Sequence, residues 1–281
     1  MQQFNKITEL REVIREQRKQ GKRIGFVPTM GALHAGHLSL IAFAKEHSDY
    51  VVSSIFVNPK QFGPNEDLDS YPRQLKTDAE KLATVGCDLL FAPSASEMYP
   101  HRFETEVSLN TTTQGLCGAH RPGHFDGVTT VVLKLLNIVT PDVAVFGKKD
   151  YQQLTVIRRM VEDLSLDVKI LGAPLIRDHD GLALSSRNAY LTAAERKQAL
   201  ALSKSLAAAR QAFLHGEKQS SQLIRIAQEV MSGYDTKLEY LELRTAKDLS
   251  TVDTVDEACL ILIAAHLGTT RLIDNVELIP A

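Results

Sequence analysis

The sequence predicts an α/β protein: a parallel sheet with helices on both faces, followed by a smaller α+β domain. In the first half, near-continuous apolar runs alternate with segments of helical periodicity, the pattern of a parallel sheet buried on both sides. Beyond Pro174 two helix-like segments precede three consecutive strand-like ones, the pattern of an α+β unit. The chain has 281 residues, 44% of them hydrophobic and 23% charged. That is ordinary for a globular protein and long enough for two domains, here placed at 1–174 and 175–281.

Each element follows from its local pattern. Ile7, Leu10, Val13 and Ile14 recur at helical spacing, and Gly21 closes that helix. "RIGFVP" is a buried strand, and Leu38, Leu40, Ile41 and Ala44 mark the next helix. "YVVSSIFV" is a second strand, rich in β-branched residues. A polar helix from about Arg73 to Val85 follows, then the strand "DLLFAP". Val128 to Val139 has the length of a helix, "DVAVFG" is a strand, Tyr151 to Asp163 a helix and "LDVKIL" a strand. A hinge is expected around Ala173 to Ile176. Thr192 and Glu195 then form a T-x-x-E capping box that opens a long helix ending near His215 and Gly216. A second helix spans Ser220 to Met231, and "KLEYLELR", "ACLILIAAHL" and "RLIDNVEL" are strands.

Bulk properties narrow the function. A net charge of −2 lacks the basic footprint of a nucleic-acid binder. Cys87, Cys117 and Cys259 are odd in number and widely spaced, which fits reduced thiols better than a disulfide framework or a zinc site. Residues 1–23 lack the apolar core of a signal peptide, and the most apolar run, "CLILIAA", is too short to span a bilayer. These features predict a cytoplasmic protein with neither a membrane nor a nucleic acid as partner.

"VPTMGALHAGHLSL" lies where the first core strand turns into a helix. Such strand ends are where ligands bind in open α/β sheets. His34 and His37 could serve the helix start, bind a metal, or handle phosphate. No Cys, Asp or Glu nearby completes a metal set at a usual spacing. A glycine-containing turn feeding a helix N-terminus offers free N–H groups and a favourable dipole to an anion. Imidazoles there can donate to phosphoryl oxygens as charge builds on them.

His34-Ala35-Gly36-His37 resembles the HIGH signature of nucleotidyltransferases, and Leu184-Ser185-Ser186-Arg187-Asn188 looks like their downstream KMSKS-type loop. "FVNPKQF", "RPGHFDGV" and "FGKKDYQQL" add three stretches similar to the pantothenate synthetase (pantoate–β-alanine ligase) family. That resemblance implies a Rossmann-like domain with a small C-terminal domain, assembled as a homodimer. It also implies ATP-dependent joining of pantoate to β-alanine through a pantoyl adenylate, with AMP and pyrophosphate released. Mg²⁺ would arrive with ATP, held by phosphates and water, so no protein metal site and no organic prosthetic group are expected.

By the same resemblance Met30, Gly31, Ala32, Leu33, His34, Ala35, Gly36 and His37 line the ATP site. Gly147, Lys148, Lys149, Asp150, Ile176, Leu184, Ser185, Ser186 and Arg187 complete it. His37, Lys149 and Arg187 are expected to stabilise the transition state, with His34, Ser185 and Ser186 donating to phosphate. Family members often carry an acidic or neutral residue where Lys148 stands, and the catalytic role is assigned to Lys149, directly before Asp150. Asp150 could accept from ribose hydroxyls or cap the helix starting near Tyr151. Gln61 and Gln153 resemble the residues that hold pantoate, Asn58 could help in the same way, and "GHFDG" is expected to shape the pocket wall. Other readings are a transferase stopping at the nucleotide conjugate, an aminoacyl-tRNA synthetase and a non-catalytic ATP sensor. The synthetase would need an RNA-binding appendage and a basic surface.

Overall fold

The computed structural model describes residues 1–64 and 66–280, and the chain divides into two compact units. The first comprises residues 1–114, 118–148 and 156–174. The second comprises residues 115–117 and 149–155 together with the chain from Leu175 onward. The sequence placed one division at 174. The structure differs in assigning two earlier short segments to the second unit.

The first unit is built on a six-stranded sheet in which every pairing is parallel. Its strands are β1 (Gln2–Phe4), β2 (Ile24–Thr29), β3 (Tyr50–Ile55), β4 (Leu89–Phe91), β5 (Val143–Gly147) and β6 (Lys169–Ala173). Their order is β1-β4-β3-β2-β5-β6. The chain leaves β2 for β3 and β4 on one side and later adds β5 on the other. The carboxyl ends of β2 and β5 therefore flank a topological switch point, where ligands bind in such sheets.

Helices α1 (Ile7–Lys19), α2 (Ala35–Lys45), α3 (Leu75–Thr84) and α4 (Ala95–Met98) occur in the first part of this unit. The chain continues through α5 (Leu116–His120), α6 (His124–Val139) and α7 (Tyr151–Asp163). Helices α2 and α3 cover one face of the sheet, where Val27, Leu33, Ile41, Val51, Leu82 and Leu90 form a core. Ile24 and Phe26, with the opposite parity on β2, are fully buried on the other side, where α6 packs against β2 and α1 against α6. Helix α6 begins at His124, four residues earlier than the sequence suggested, because Gly123 turns into it with φ +76°. The expected strand "LDVKIL" pairs from Lys169 to Ala173 instead, after a turn in which Ser165 has φ +49°.

The second unit carries α8 (Ala193–Leu214), α9 (Ser220–Met231) and an antiparallel sheet of β7 (Lys237–Thr245), β8 (Cys259–Leu267) and β9 (Thr270–Leu278). The Thr192–Glu195 capping box is present: Glu195 N–H donates to Thr192 Oγ1, and Thr192 N–H donates to Glu195 Oε2. Leu202, Leu206, Leu223, Ile261 and Ile263 join the helices to one face of the sheet. Leu260 and Leu262, with the opposite parity, pack with Leu116, Tyr151 and Tyr240 on the other. Strand β8 is thus buried on both faces, which explains its continuous apolar run. The same packing explains why residues 115–117 and 149–155 belong to this unit. Among the described residues no helix is long and apolar enough to cross a membrane.

Candidate active site

Strand β2 ends at Thr29, whose hydroxyl donates to the Ser54 carbonyl at 2.8 Å and accepts from Gly31 N–H at 3.2 Å. Gly31 and Ala32 both take positive φ, +85° and +51°. For alanine that conformation is uncommon and must be held from outside. Asp78, fully buried on α3, supplies the hold: its two oxygens accept from Ala32 N–H and Leu33 N–H, each at 2.8 Å. Lys81 Nζ, one turn further along α3, donates to the Leu33 carbonyl at 2.7 Å. The turn is therefore clamped before it reaches the histidines.

His34 stands in extended conformation as the N-cap of α2, and its carbonyl accepts from His37 N–H and Leu38 N–H. Its own N–H donates to Nδ1 of His37 at 3.3 Å, with the ring centroids 4.0 Å apart. Because Nδ1 accepts, the neutral His37 ring carries its proton on Nε2. The histidines thus both organise the helix start and present an N–H donor at an anion-favouring helix N-terminus.

Gln61 and Asn58 stand in and before a 3₁₀ turn at Pro59–Gln61, both buried. Asn58 Nδ2 donates to the Gly127 carbonyl at 3.0 Å and to Gln61 Oε1 at 3.1 Å. Gln61 Nε2 lies 3.1 Å from Met30 Sδ, so this pair and the β2 turn come together within the first unit. Helix α6 approaches closely here: a Cβ on Gly127 would lie 2.3 Å from the Lys60 carbonyl oxygen. The Gln61 carbonyl is gripped by His124 Nδ1 at 2.8 Å and Arg121 Nη2 at 3.3 Å, while Arg121 Nε donates to Glu66 at 2.8 Å. Through His124, "GHFDG" therefore acts as a clamp on the Gln61 backbone.

The remaining expected residues divide between the units. Gly147 closes β5, and Lys148, Lys149 and Asp150 form a 3₁₀ turn leading into α7. In the second unit Lys149 Nζ lies 3.8 Å from Asp150 Oδ1, and the Lys149 carbonyl accepts from Asn275 Nδ2 at 2.9 Å. Ile176 and Leu184–Arg187 belong to a hairpin: Arg177 bridges Ala183, and Leu184 N–H donates to the Ile176 carbonyl at 3.0 Å. Gly181, φ +93°, makes its turn. Arg177 grips Asp274 with two bonds, at 2.6 and 3.0 Å. Arg196 reaches Asp180 at 2.9 Å and Asp178 at 2.6 Å. Hydrogen bonds from His179, then from Arg196, hold the Asp178 carboxyl down at about 2. Ser185 Oγ accepts from Arg187 N–H at 3.3 Å, keeping its own proton for donation, and Ser186 and Arg187 open a 3₁₀ turn. Gln153 is half-buried on α7, whereas Gln152 beside it is buried and bonded to residues 115 and 117. Strand β9, through Asp274 and Asn275, thus secures both the hairpin and the Lys149 backbone. Asp78, Asp274 and Asn275 were not anticipated.

The family model for pantoate–β-alanine ligase matches residues 2–277. The chain belongs to the pantoate–β-alanine ligase family. It is a ligase that makes pantothenate by joining pantoate to β-alanine. Pantothenate synthetase from a Thermoanaerobacter species is 54% identical to it over 97% of this chain and 96% of the relative. That from Ectopseudomonas mendocina is 53% identical over 96% and 95%. The Thermus thermophilus pantothenate synthetase structure superposes with a TM-score of 0.95 at 42% identity, covering 100% of both chains. A Francisella tularensis ligase complexed with beta-gamma ATP and β-alanine gives 0.80 at 36% identity, covering 98% of this chain and 97% of that one.

Proposed function

We propose that this ligase works through a pantoyl adenylate with MgATP as co-substrate. A pantoate carboxylate oxygen bonds to the α-phosphorus, and the bond to the bridging oxygen breaks, releasing pyrophosphate. The β-alanine amine then attacks the acyl carbon, the acyl–oxygen bond breaks, AMP leaves, and the nitrogen loses a proton to solvent. The observation that carries this reading is the His34–His37 arrangement at the start of α2, which presents His37 Nε2–H where a phosphoryl oxygen would accept it.

The first step brings a carboxylate against a polyanion. Unit charges ~4 Å apart repel by about 4 kcal/mol at an effective dielectric near 20. His37, Lys149 and Arg187 offset that, while His34, Ser185 and Ser186 donate to phosphate oxygens. We assign Met30–His37, Gly147, Lys148, Ile176 and Leu184 to the nucleotide, and Asp150 to its ribose hydroxyls. These donors suit phosphate better than metal, so Mg²⁺ travels as part of the substrate. Gln61 and Gln153 fix pantoate with neutral amides, leaving its carboxylate nucleophilic, and Asn58, whose own amide is bonded to Gly127 and Gln61, helps by holding Gln61. The Francisella complex supports ATP and β-alanine as substrates here. A cytoplasmic homodimer completes the proposal. Buried free thiols at Cys87, Cys117 and Cys259 support the compartment, and sedimentation equilibrium tests the assembly.

Phosphorus NMR with ATP, pantoate and β-alanine, each omitted in turn, tests the chemistry. AMP and pyrophosphate are expected, with ATP–pyrophosphate exchange requiring pantoate but not β-alanine. ADP and phosphate would exclude an adenylate.

A further inference from the structure

The Asn58–Gln61 pair has a third member in Tyr99, a residue outside every motif that carried the function. Two one-sided backbone groups fix which way the Asn58 amide faces. The Gly127 carbonyl can only accept, so the Asn58 atom 3.0 Å from it is Nδ2. Lys60 N–H can only donate, so the atom 3.3 Å from it is Oδ1. The Tyr99 hydroxyl, 2.7 Å from that Oδ1, must therefore be the donor. Burial holds its pKa at about 12, so the proton stays in place across the working range.

The orientation then propagates. Asn58 Nδ2 also donates to Gln61 Oε1 at 3.1 Å, so the Gln61 oxygen faces Asn58 and its Nε2 faces the Met30 side. Gln61 is left as a hydrogen-bond donor toward whatever occupies that side. The Tyr99 position is fixed independently. It follows the short helix α4, whose Ser94 cap accepts from Glu97 N–H, and Tyr99 N–H donates to the Ala95 carbonyl at 2.7 Å. Its ring packs beside Phe56 and Phe103, with Lys60 Nζ 5.6 Å from its centroid.

We propose that Tyr99 is a positioning residue for pantoate: through Asn58 it holds the Gln61 amide with Nε2 presented to an oxygen acceptor of the substrate. This rests on Gln61 being a pantoate ligand, and the test separates the two ideas. Tyr99→Phe keeps the ring contacts and removes only the donor. It should raise the KM for pantoate about fivefold, the scale of one neutral hydrogen bond, with the KM for ATP unchanged. Side-chain amide NMR should show the Asn58 and Gln61 NH₂ signals shifting and exchanging faster with water. Combined with Gln61→Ala, Tyr99→Phe should add nothing further to the pantoate KM.

An unchanged pantoate KM in Tyr99→Phe, or full additivity with Gln61→Ala, would overturn the positioning role. Loss of thermal stability with both KM values intact would also overturn it, leaving Tyr99 a structural residue. If Gln61→Ala itself left the pantoate KM unchanged, the ligand assignment would fall instead, even with amide signals that respond to Tyr99→Phe.

Discussion

His34 donates its backbone N–H to Nδ1 of His37 at 3.3 Å, so one histidine sets the tautomer of the other. The neutral His37 ring then holds its proton on Nε2. His37→Ala should lower kcat by roughly 10²- to 10³-fold, as for removal of one transition-state donor, with the fold retained. Nitrogen-15 NMR of the free enzyme at neutral pH should show the Nε2–H tautomer. A predominantly Nδ1–H ring, or near-wild-type turnover of the alanine variant, would reduce the histidine to a helix-start residue.

Asn275 holds the Lys149 carbonyl at 2.9 Å and thereby fixes the backbone from which the Lys149 ammonium projects. Lys149→Ala should nearly abolish pyrophosphate exchange, whereas Lys148→Ala should be mild. Asn275→Ala should fall between them, losing up to roughly 10²-fold, the scale for a misplacement of about 1 Å. Exchange assays on the three variants check the ranking. A Lys148 variant worse than the Lys149 variant would show that the neighbouring lysine serves the nucleotide.

The strands and the signatures were legible because each is written in a short local pattern. The "IGFV" of β2 is apolar because both faces of the sheet are covered, and the capping box at Thr192 needs only a spacing of three. Long-range polar pairs have no such pattern. Asp78 lies 46 residues from Ala32, and Arg177 lies 97 from Asp274. Strand β1 is three residues long and mostly exposed, too short for alternation to register. A readable signal was present at Gly127: glycine inside a helix costs about 1 kcal/mol relative to alanine and marks a close approach. Here that approach is to the turn carrying Gln61.

Adjacent glutamines on α7 should behave differently. Gln152 accepts from Cys117 N–H at 3.0 Å and donates to the Gly115 carbonyl at 3.3 Å, so its amide is part of the second unit's packing. Gln152→Ala should cost about 1–3 kcal/mol in stability, the penalty for stranding a buried donor. Gln153→Ala should leave stability near wild type and raise the KM for pantoate. Denaturant melts and steady-state kinetics on both variants separate the roles. A Gln153 variant in which only the KM for ATP moves would remove it from the pantoate site.

The acid side should report on the Glu66–Arg121 clamp that braces Gln61. Burial pushes the Glu66 carboxyl up, but hydrogen bonding and charge from Arg121 outweigh it, and the group lies below its ordinary value. A lowered folded pKa means that the unfolded chain binds more protons in that window. The clamp's stabilisation is therefore complete above the ordinary glutamate value and is lost as pH falls through the lower, folded one. The clamp's contribution to Tm should be constant from neutrality to about pH 5 and shrink below it. Glu66→Gln should start with a lower Tm, because the Arg121 guanidinium then faces a neutral amide in place of a carboxylate, and decline less steeply in acid. Solvent around the half-buried carboxylate keeps the difference small, so it must be read as a divergence between the two profiles. Parallel profiles below about pH 5 would show that protonation of Glu66 is not coupled to folding.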